Sequence, residues 1–177
     1  AASVKKTSSA CCETAEPHTK CGCGDKNEYE TVRIERTDAT CGVCETYAKK
    51  QAQKPVVVIS CEGACLRGEI ARRTADRLCH KEAPEKTARI CLGGAFTKDG
   101  GQRDLVRQGK TVLAIEGCHL KCATRMMQAH LPEMKARVYV TDGMCKFDKS
   151  LFGVDELARE DIERMGEEIA CQISKEI

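Results

Sequence analysis

Short runs of aliphatic and β-branched residues recur from residue 56 onward and are separated by amphipathic stretches. The runs occupy residues 56–60, 88–92, 111–115 and 137–141. Continuous apolar runs of this length are typical of strands that are buried on both faces of a sheet. Apolar residues at helical spacing predict helices over 64–80, 119–131 and 154–173. The alternation predicts an α/β fold of three layers, with a mainly parallel sheet of four or more strands and helices on both faces.

The first part of the chain has a different character. Residues 1–54 contain small and polar residues, several cysteines and little apolar periodicity, so most of this stretch lacks the means to bury a core. The sequence therefore predicts a cysteine-rich N-terminal extension over 1–54, partly disordered, and an α/β domain over 55–177.

Charge and composition exclude several classes of protein. The formal net charge is only +2 and aromatic residues make up 3% of the chain, whereas nucleic-acid binders usually need a basic face and stacking rings. No apolar run approaches the roughly 20 residues that span a bilayer, and the first residues do not form a signal-peptide core. We expect a cytoplasmic protein that binds neither nucleic acid nor membrane; a homodimer stays open.

Cysteine is the most unusual component, with 14 among 177 residues. In a reducing compartment, many cysteines indicate metal or redox chemistry more often than a disulfide framework. Four of them lie at or after the ends of the four predicted strands: Cys61, Cys91, Cys118 and Cys145. Because parallel strands end at the same edge of a sheet, where ligands bind, we expect these thiols to face one crevice.

A weak internal repeat adds a second reason to look there. Cys61/Cys65 and Cys118/Cys122 both follow an apolar run, and each pair is four residues apart. On a helix this spacing places two side chains on one face, and a helix N-terminus favours the thiolate that a metal requires. Gly63 and Gly117 are predicted to leave room for the backbone to approach a bound cofactor. Cys79 and Cys171 are predicted to be packing residues.

Residues of about 56–147 resemble the DGC domain, a small family to which zinc binding is ascribed. The resemblance lies in the segments Ser60-Cys61-Glu62-Gly63-Ala64, Gly68-Glu69-Ile70-Ala71, Cys91-Leu92-Gly93-Gly94, Ala114-Ile115-Glu116-Gly117-Cys118-His119-Leu120-Lys121-Cys122-Ala123, Val140-Thr141-Asp142 and Lys146. It implies that the four metal-binding cysteines are Cys61, Cys91, Cys118 and Cys122. The chain departs from the family at Glu116, where the family's name leads us to expect Asp, and at Cys65, which replaces a small polar residue.

The sequence leaves the metal and the reaction open. Thiolates select Zn²⁺, Cu(I) or iron–sulfur clusters. We therefore expect a protein that binds zinc or another thiophilic metal for storage, sensing or trafficking, with an iron–sulfur enzyme acting on a sulfur-containing or other small substrate as the alternative. Cys65 and Cys145 are candidate additional ligands. Whether the chain is an enzyme is open, and Glu62 and Glu116 are weak candidates for a general acid–base group.

Two further hypotheses concern the extension. Cys21, Cys23, Cys41 and Cys44 have a spacing close to that of a zinc ribbon, which makes them a candidate second metal site. Alternatively, the C-x-x-C spacing of Cys41 and Cys44 matches a dithiol redox motif.

Overall fold

The computed structural model describes residues 31–177. The predictions for Cys21 and Cys23, and for the rest of residues 1–30, lie outside the described residues. The chain divides after residue 33, and the fold described below is that of the unit Ile34–Ile177. Of the predicted extension, this unit includes helix α1 (Gly42–Gln51).

Four parallel strands form one sheet. They are β1 (Val56–Ser60), β2 (Thr87–Arg89), β3 (Thr111–Glu116) and β4 (Ala136–Val140), in the spatial order β2-β1-β3-β4. All five residues of β1 are buried, as its unbroken β-branched run predicts for a central strand. The predicted α/β class and parallel sheet are confirmed.

Helices cover both faces of this sheet. One face carries α2 (Leu66–Arg77) and α6 (Arg159–Ser174), whose Ile70 and Ile169 share a core with Val58 of β1. The other face carries α1, α3 (Leu92–Thr97), α4 (Gly101–Gln108) and α5 (Cys122–His130). Short π-helical and 3₁₀ turns complete the chain at Leu78–Glu82, Thr141–Gly143 and Val154–Glu156. None of the helices in the described part of the chain is long and apolar enough to cross a bilayer.

Several predicted boundaries were wrong. The helix expected from residue 64 begins at Leu66, and the one expected from residue 119 begins at Cys122. The last helix begins at Arg159, because residues 154–156 form a separate 3₁₀ turn. The run 88–92 is not one strand, since β2 ends at Arg89 and Leu92 begins α3.

Tyr47 of α1 closes the outer edge of β2. The Arg89 N–H donates a hydrogen bond to the Tyr47 hydroxyl over 3.1 Å. A backbone donor of the edge strand, which could otherwise pair with a further strand, therefore has a side-chain acceptor. We expect Tyr47→Phe to lower the free energy of unfolding by about 1 kcal/mol, the usual effect of losing one partner of a neutral hydrogen bond. Urea unfolding measures this loss, and an unchanged midpoint would show that the bond contributes nothing.

Candidate metal centre at the carboxyl edge of the sheet

The sheet has a switch point between β1 and β3. The chain leaves β1 into α2 on one face and leaves β3 into α5 on the other. In open α/β sheets such a divergence opens the crevice in which ligands bind. Cys61 follows β1 and Cys118 follows β3 at this point, so two of the predicted ligands begin the two turns that border the crevice.

Glycines allow these two turns to approach closely. A Cβ atom on Gly117 would lie 2.8 Å from the carbonyl carbon of Arg67, and one on Gly68 would lie 2.5 Å from the carbonyl oxygen of Gly63. These contacts are between backbone atoms, which cannot move aside as a side chain could. The space beside Gly117, predicted to serve a cofactor, is therefore filled by the start of α2.

Gly63 lies beside two sulfur atoms. A Cβ atom at this position would be 3.4 Å from Sγ of Cys61 and 3.8 Å from Sγ of Cys65. Both sulfurs therefore lie on the same side of the β1–α2 turn. The room that the sequence predicted at Gly63 faces these thiols.

Cys61 is the most enclosed of the predicted ligands. Its residue is 9% exposed, and burial raises the pKa of its thiol. The backbone N–H groups of Gly63 and Gly117 act on this pKa in the opposite direction, whereas the charges of Glu116 and Cys122 raise it. The Cys61 thiol therefore feels groups from both turns.

The pairs Cys61/Cys65 and Cys118/Cys122 do not lie on helices as predicted. Cys65 is the residue before α2, and Cys122 is the first residue of α5. Cys118 belongs to a turn in which the Lys121 N–H donates to the Cys118 carbonyl over 3.3 Å. The prediction failed because the turn must reverse before α5 can begin, and Lys121 adopts a left-handed conformation with φ of 50° to do so.

Glu116 fixes the start of α5. Its side chain is almost fully buried, with 1% of the residue exposed. Its carboxylate accepts hydrogen bonds from the backbone N–H of Thr124 at 2.7 Å, from the Thr124 hydroxyl at 2.6 Å and from the Ala123 N–H at 3.4 Å. A carboxylate at a helix N-terminus satisfies donors that have no partner within the helix. This position makes Glu116 a residue that orients Cys122.

Glu62, the second candidate acid–base group, belongs to the β1–α2 turn. It accepts a hydrogen bond from the Ser60 hydroxyl over 3.0 Å and forms an ion pair with Arg89. With Arg89 it lines a cavity beyond β2.

Cys91 belongs to the surroundings of α1. It is the residue before α3, and its charge is among the causes that raise the pKa of Cys44. Gln102 connects the two residues, accepting from the Cys91 N–H at 3.0 Å and donating to the Cys44 carbonyl at 3.4 Å. Sequence reasoning missed this neighbourhood, because no periodic pattern indicates where α1 packs.

Cys145 is partly buried away from these groups. Its thiol donates to the Thr141 carbonyl over 3.2 Å and packs against the core beneath α2 and α6. Burial also raises the pKa of this thiol. This environment is that of a packing residue.

The four predicted ligands are not gathered in a common coordination shell. Across residues 31–177, no group of three or more His, Cys, Asp and Glu side chains is placed so that it could hold one metal ion. Cys61 and Cys65 lie beside Gly63, the charge of Cys122 acts on the Cys61 thiol, Cys118 begins the adjoining turn, and Cys91 is linked through Gln102 to Cys44. Binding of one ion by Cys61, Cys65, Cys118 and Cys122 would require side-chain movement. Cys118 and Cys122 have room for this movement because both reach solvent.

The comparisons with known proteins give one match. The sequence profile of the DGC domain matches residues 57–169, which is well over half of the chain and includes Cys61, Cys91, Cys118 and Cys122. No curated protein and no solved structure matches the chain. The chain belongs to the DGC domain family, a cysteine-rich family associated with metal binding.

Proposed function

We propose that the domain binds a thiophilic metal ion, with Zn²⁺ as the first candidate, at the switch point between β1 and β3. The ligands are the thiolates of Cys61, Cys118 and Cys122, with Cys65 as the fourth. The observation that carries this proposal is the burial of Cys61 at the switch point, with Cys65 on the same side of Gly63 and the charge of Cys122 acting on the Cys61 thiol. Cysteine thiolates are the ligands that Zn²⁺ uses in Cys₄ sites.

Cys65 replaces Cys91 as the fourth ligand in this proposal. The sulfur of Cys65 lies on the same side of Gly63 as that of Cys61, whereas Cys91 is tied through Gln102 to Cys44. The family resemblance implies Cys91, so the two cysteines are distinguished by the experiment below.

The accessibility of the thiols favours an exchangeable ion. Cys122 is exposed, and Cys65 and Cys118 are half-buried, whereas structural zinc sites are usually closed. Storage, sensing or trafficking of metal in the cytoplasm, where thiols stay reduced, is the role that this accessibility supports.

Metal retention by cysteine variants tests the proposal. The full chain is purified anaerobically, loaded with Zn²⁺ and analysed by native mass spectrometry and by zinc competition. Cys61→Ser and Cys122→Ser should each weaken zinc binding by at least about 100-fold, because even the loss of an outer-shell partner weakens metal binding by about 10–100-fold. Cys65→Ser should do the same and Cys91→Ser should not.

Cys171→Ser is the matched control, because Cys171 lies on α6 away from the switch point. Equal loss of zinc in this variant would contradict the ligand assignment. Loss in Cys91→Ser with retention in Cys65→Ser would restore the ligand set implied by the family. Brown protein containing iron and acid-labile sulfide would replace the zinc proposal with the iron–sulfur alternative.

A further inference from the structure

Three cysteines lie together outside the proposed metal centre, at the outer edge of the sheet. Cys41 is the residue before α1, and Cys44 lies within the first turn of this helix. The Glu45 N–H donates to the Cys41 carbonyl over 3.1 Å, which closes the first turn around the two cysteines. Cys91, at the start of α3, is the third thiol of the group and acts on Cys44.

The first two cysteines have different environments, as a nucleophile and its partner require. Cys41 is exposed and immediately precedes α1, whereas Cys44 is half-buried within the first turn of this helix. The positive end of the helix dipole favours a thiolate at the first of these two positions. A C-x-x-C pair at a helix N-terminus in which the first cysteine is the thiolate is the arrangement used for thiol–disulfide exchange.

A cavity of about 560 Å³ adjoins Cys44, the second cysteine of the pair. Its volume lies within the roughly 300–1,000 Å³ of small-molecule sites. Cys44 and Cys91 contribute to its wall, and Tyr47 and Leu92 supply apolar surface.

Charges of both signs also line this cavity. Arg89 forms ion pairs with Glu62 and with Asp76, the latter at 3.1 Å. Arg72 pairs with the same aspartate at 3.0 Å. Such a wall offers partners to a ligand that carries both ammonium and carboxylate groups.

We propose that Cys41 and Cys44 form a dithiol centre that reduces a small disulfide of the amino-acid type, of which cystine is the simplest, bound in the cavity beside Cys44 and Cys91. This activity is independent of the metal centre.

The exchange balances in two steps. The Cys41 thiolate attacks one sulfur of the bound disulfide, the S–S bond of the substrate breaks, and one thiolate leaves as a mixed disulfide forms on Cys41. The Cys44 thiol then loses its proton and attacks the Cys41 sulfur, which releases the second thiolate. Two protein thiols are oxidised to one disulfide, one substrate disulfide is reduced to two thiols, and the two protons of the protein thiols pass to the products. An external dithiol reductant returns the protein to its starting state.

The tryptic peptide 37–49 makes the test specific, since Cys41 and Cys44 are its only cysteines. The reduced full-length protein is treated with cystine, free thiols are alkylated, and this peptide is analysed by mass spectrometry. We expect it to lose two hydrogens and to escape alkylation. In Cys44→Ser the same peptide should instead accumulate a cysteine adduct on Cys41.

Comparison of disulfides tests the cavity. Cystine should oxidise the pair at least about tenfold faster than bis(2-hydroxyethyl) disulfide, which lacks the charged groups that the cavity wall can bind. Equal rates would overturn the assignment of the substrate class. Adducts spread evenly over exposed cysteines, or a peptide 37–49 that stays reduced, would overturn the dithiol centre itself.

Two variants separate this proposal from the metal-binding one. Cys118→Ser, expected to lose zinc, should keep the oxidation of peptide 37–49, and Cys171→Ser should keep both properties. If Cys118→Ser abolished the oxidation, the two sites would not be independent and this proposal would fail while the metal proposal stood.

Discussion

Gly68→Ala is expected to destabilise the domain by about 3 kcal/mol, although Gly68 lies within a helix. Replacing an exposed helical glycine by alanine usually stabilises a protein by about 1 kcal/mol, because alanine has the higher helix propensity. At Gly68 the new methyl group would lie 2.5 Å from the carbonyl oxygen and 2.9 Å from the Cα of Gly63. Overpacking of a tight interior usually costs about 1–3 kcal/mol, and this contact belongs to the upper end because both neighbours are backbone.

The same substitution on another helix provides the control. Gly93 of α3 has no atom within 4 Å of the position that a Cβ would take, so Gly93→Ala should leave stability unchanged or raise it by up to about 1 kcal/mol. Urea unfolding of both variants measures the difference. Equal effects of the two substitutions would show that the β1–α2 turn can relax and that its close contact is unimportant.

The effect should extend to the metal centre. A Cβ on Gly68 would press on Gly63 within the turn that carries Cys61 and Cys65, and the start of α2 that it would displace lies 2.8 Å from the Cβ position of Gly117 in the turn that carries Cys118. We therefore expect Gly68→Ala to weaken zinc binding as well, whereas Gly93→Ala should retain it.

Strands were the part of the fold that the sequence predicted best. The run that became β1 was predicted with the boundaries that the structure has, β3 extends one residue further than predicted, and β4 lies one residue earlier in the chain. These runs are rich in β-branched residues and lie in or beside the centre of the sheet, where burial and local propensity agree.

Boundaries near cysteines and glycines were predicted poorly. Cys91 and Leu92 continue the apolar run of β2, yet pairing with β1 ends at Arg89, and the following glycines join α3. At the end of β3, the helix was predicted to begin at residue 119, so that Cys118 and Cys122 would flank its first turn. The left-handed Lys121 prevents this, and a lysine gives no local signal for such a conformation, which glycine or asparagine would.

The candidate sites show the same division. Strand order placed Cys61 and Cys118 at one edge of the sheet, which follows from parallel topology alone. The link from Cys91 to Cys44 through Gln102 instead depends on the packing of α1 against α4. Contacts between elements far apart in the chain cannot be derived from the periodicity of either element.

Glu116→Ala is expected to cost about 3 kcal/mol of stability. The carboxylate bonds to the Thr124 N–H, the Thr124 hydroxyl and the Ala123 N–H in a buried position. Hydrogen bonds to charged groups contribute about 1.5–3 kcal/mol, and a buried donor left without a partner costs about 1–3 kcal/mol. The substitution removes the common acceptor of three donors and leaves a cavity, and both effects lower the free energy of unfolding. Part of this loss is offset because the variant no longer has to desolvate a buried carboxylate.

A conservative variant separates the effect of the carboxylate charge from that of the side-chain length. Glu116→Asp keeps the carboxylate but shortens the side chain by one methylene, so it should be intermediate in stability because it cannot place its oxygens on both Ala123 and Thr124. Thr124→Val, which removes only the hydroxyl bond, should cost about 1–2 kcal/mol. Thermal and urea unfolding measure the series.

Zinc binding gives the same series a second readout. If Glu116 orients Cys122 through the start of α5, the alanine variant should bind zinc about 10–100-fold more weakly, as is usual when an outer-shell partner of a metal ligand is lost. Thr124→Val should change zinc affinity less than Glu116→Ala does. Full zinc affinity in a destabilised Glu116→Ala protein would show that the carboxylate supports the fold alone. In that case the turn from Gly117 to Lys121 would position Cys122 without it, and Glu116 would have no part in the metal centre.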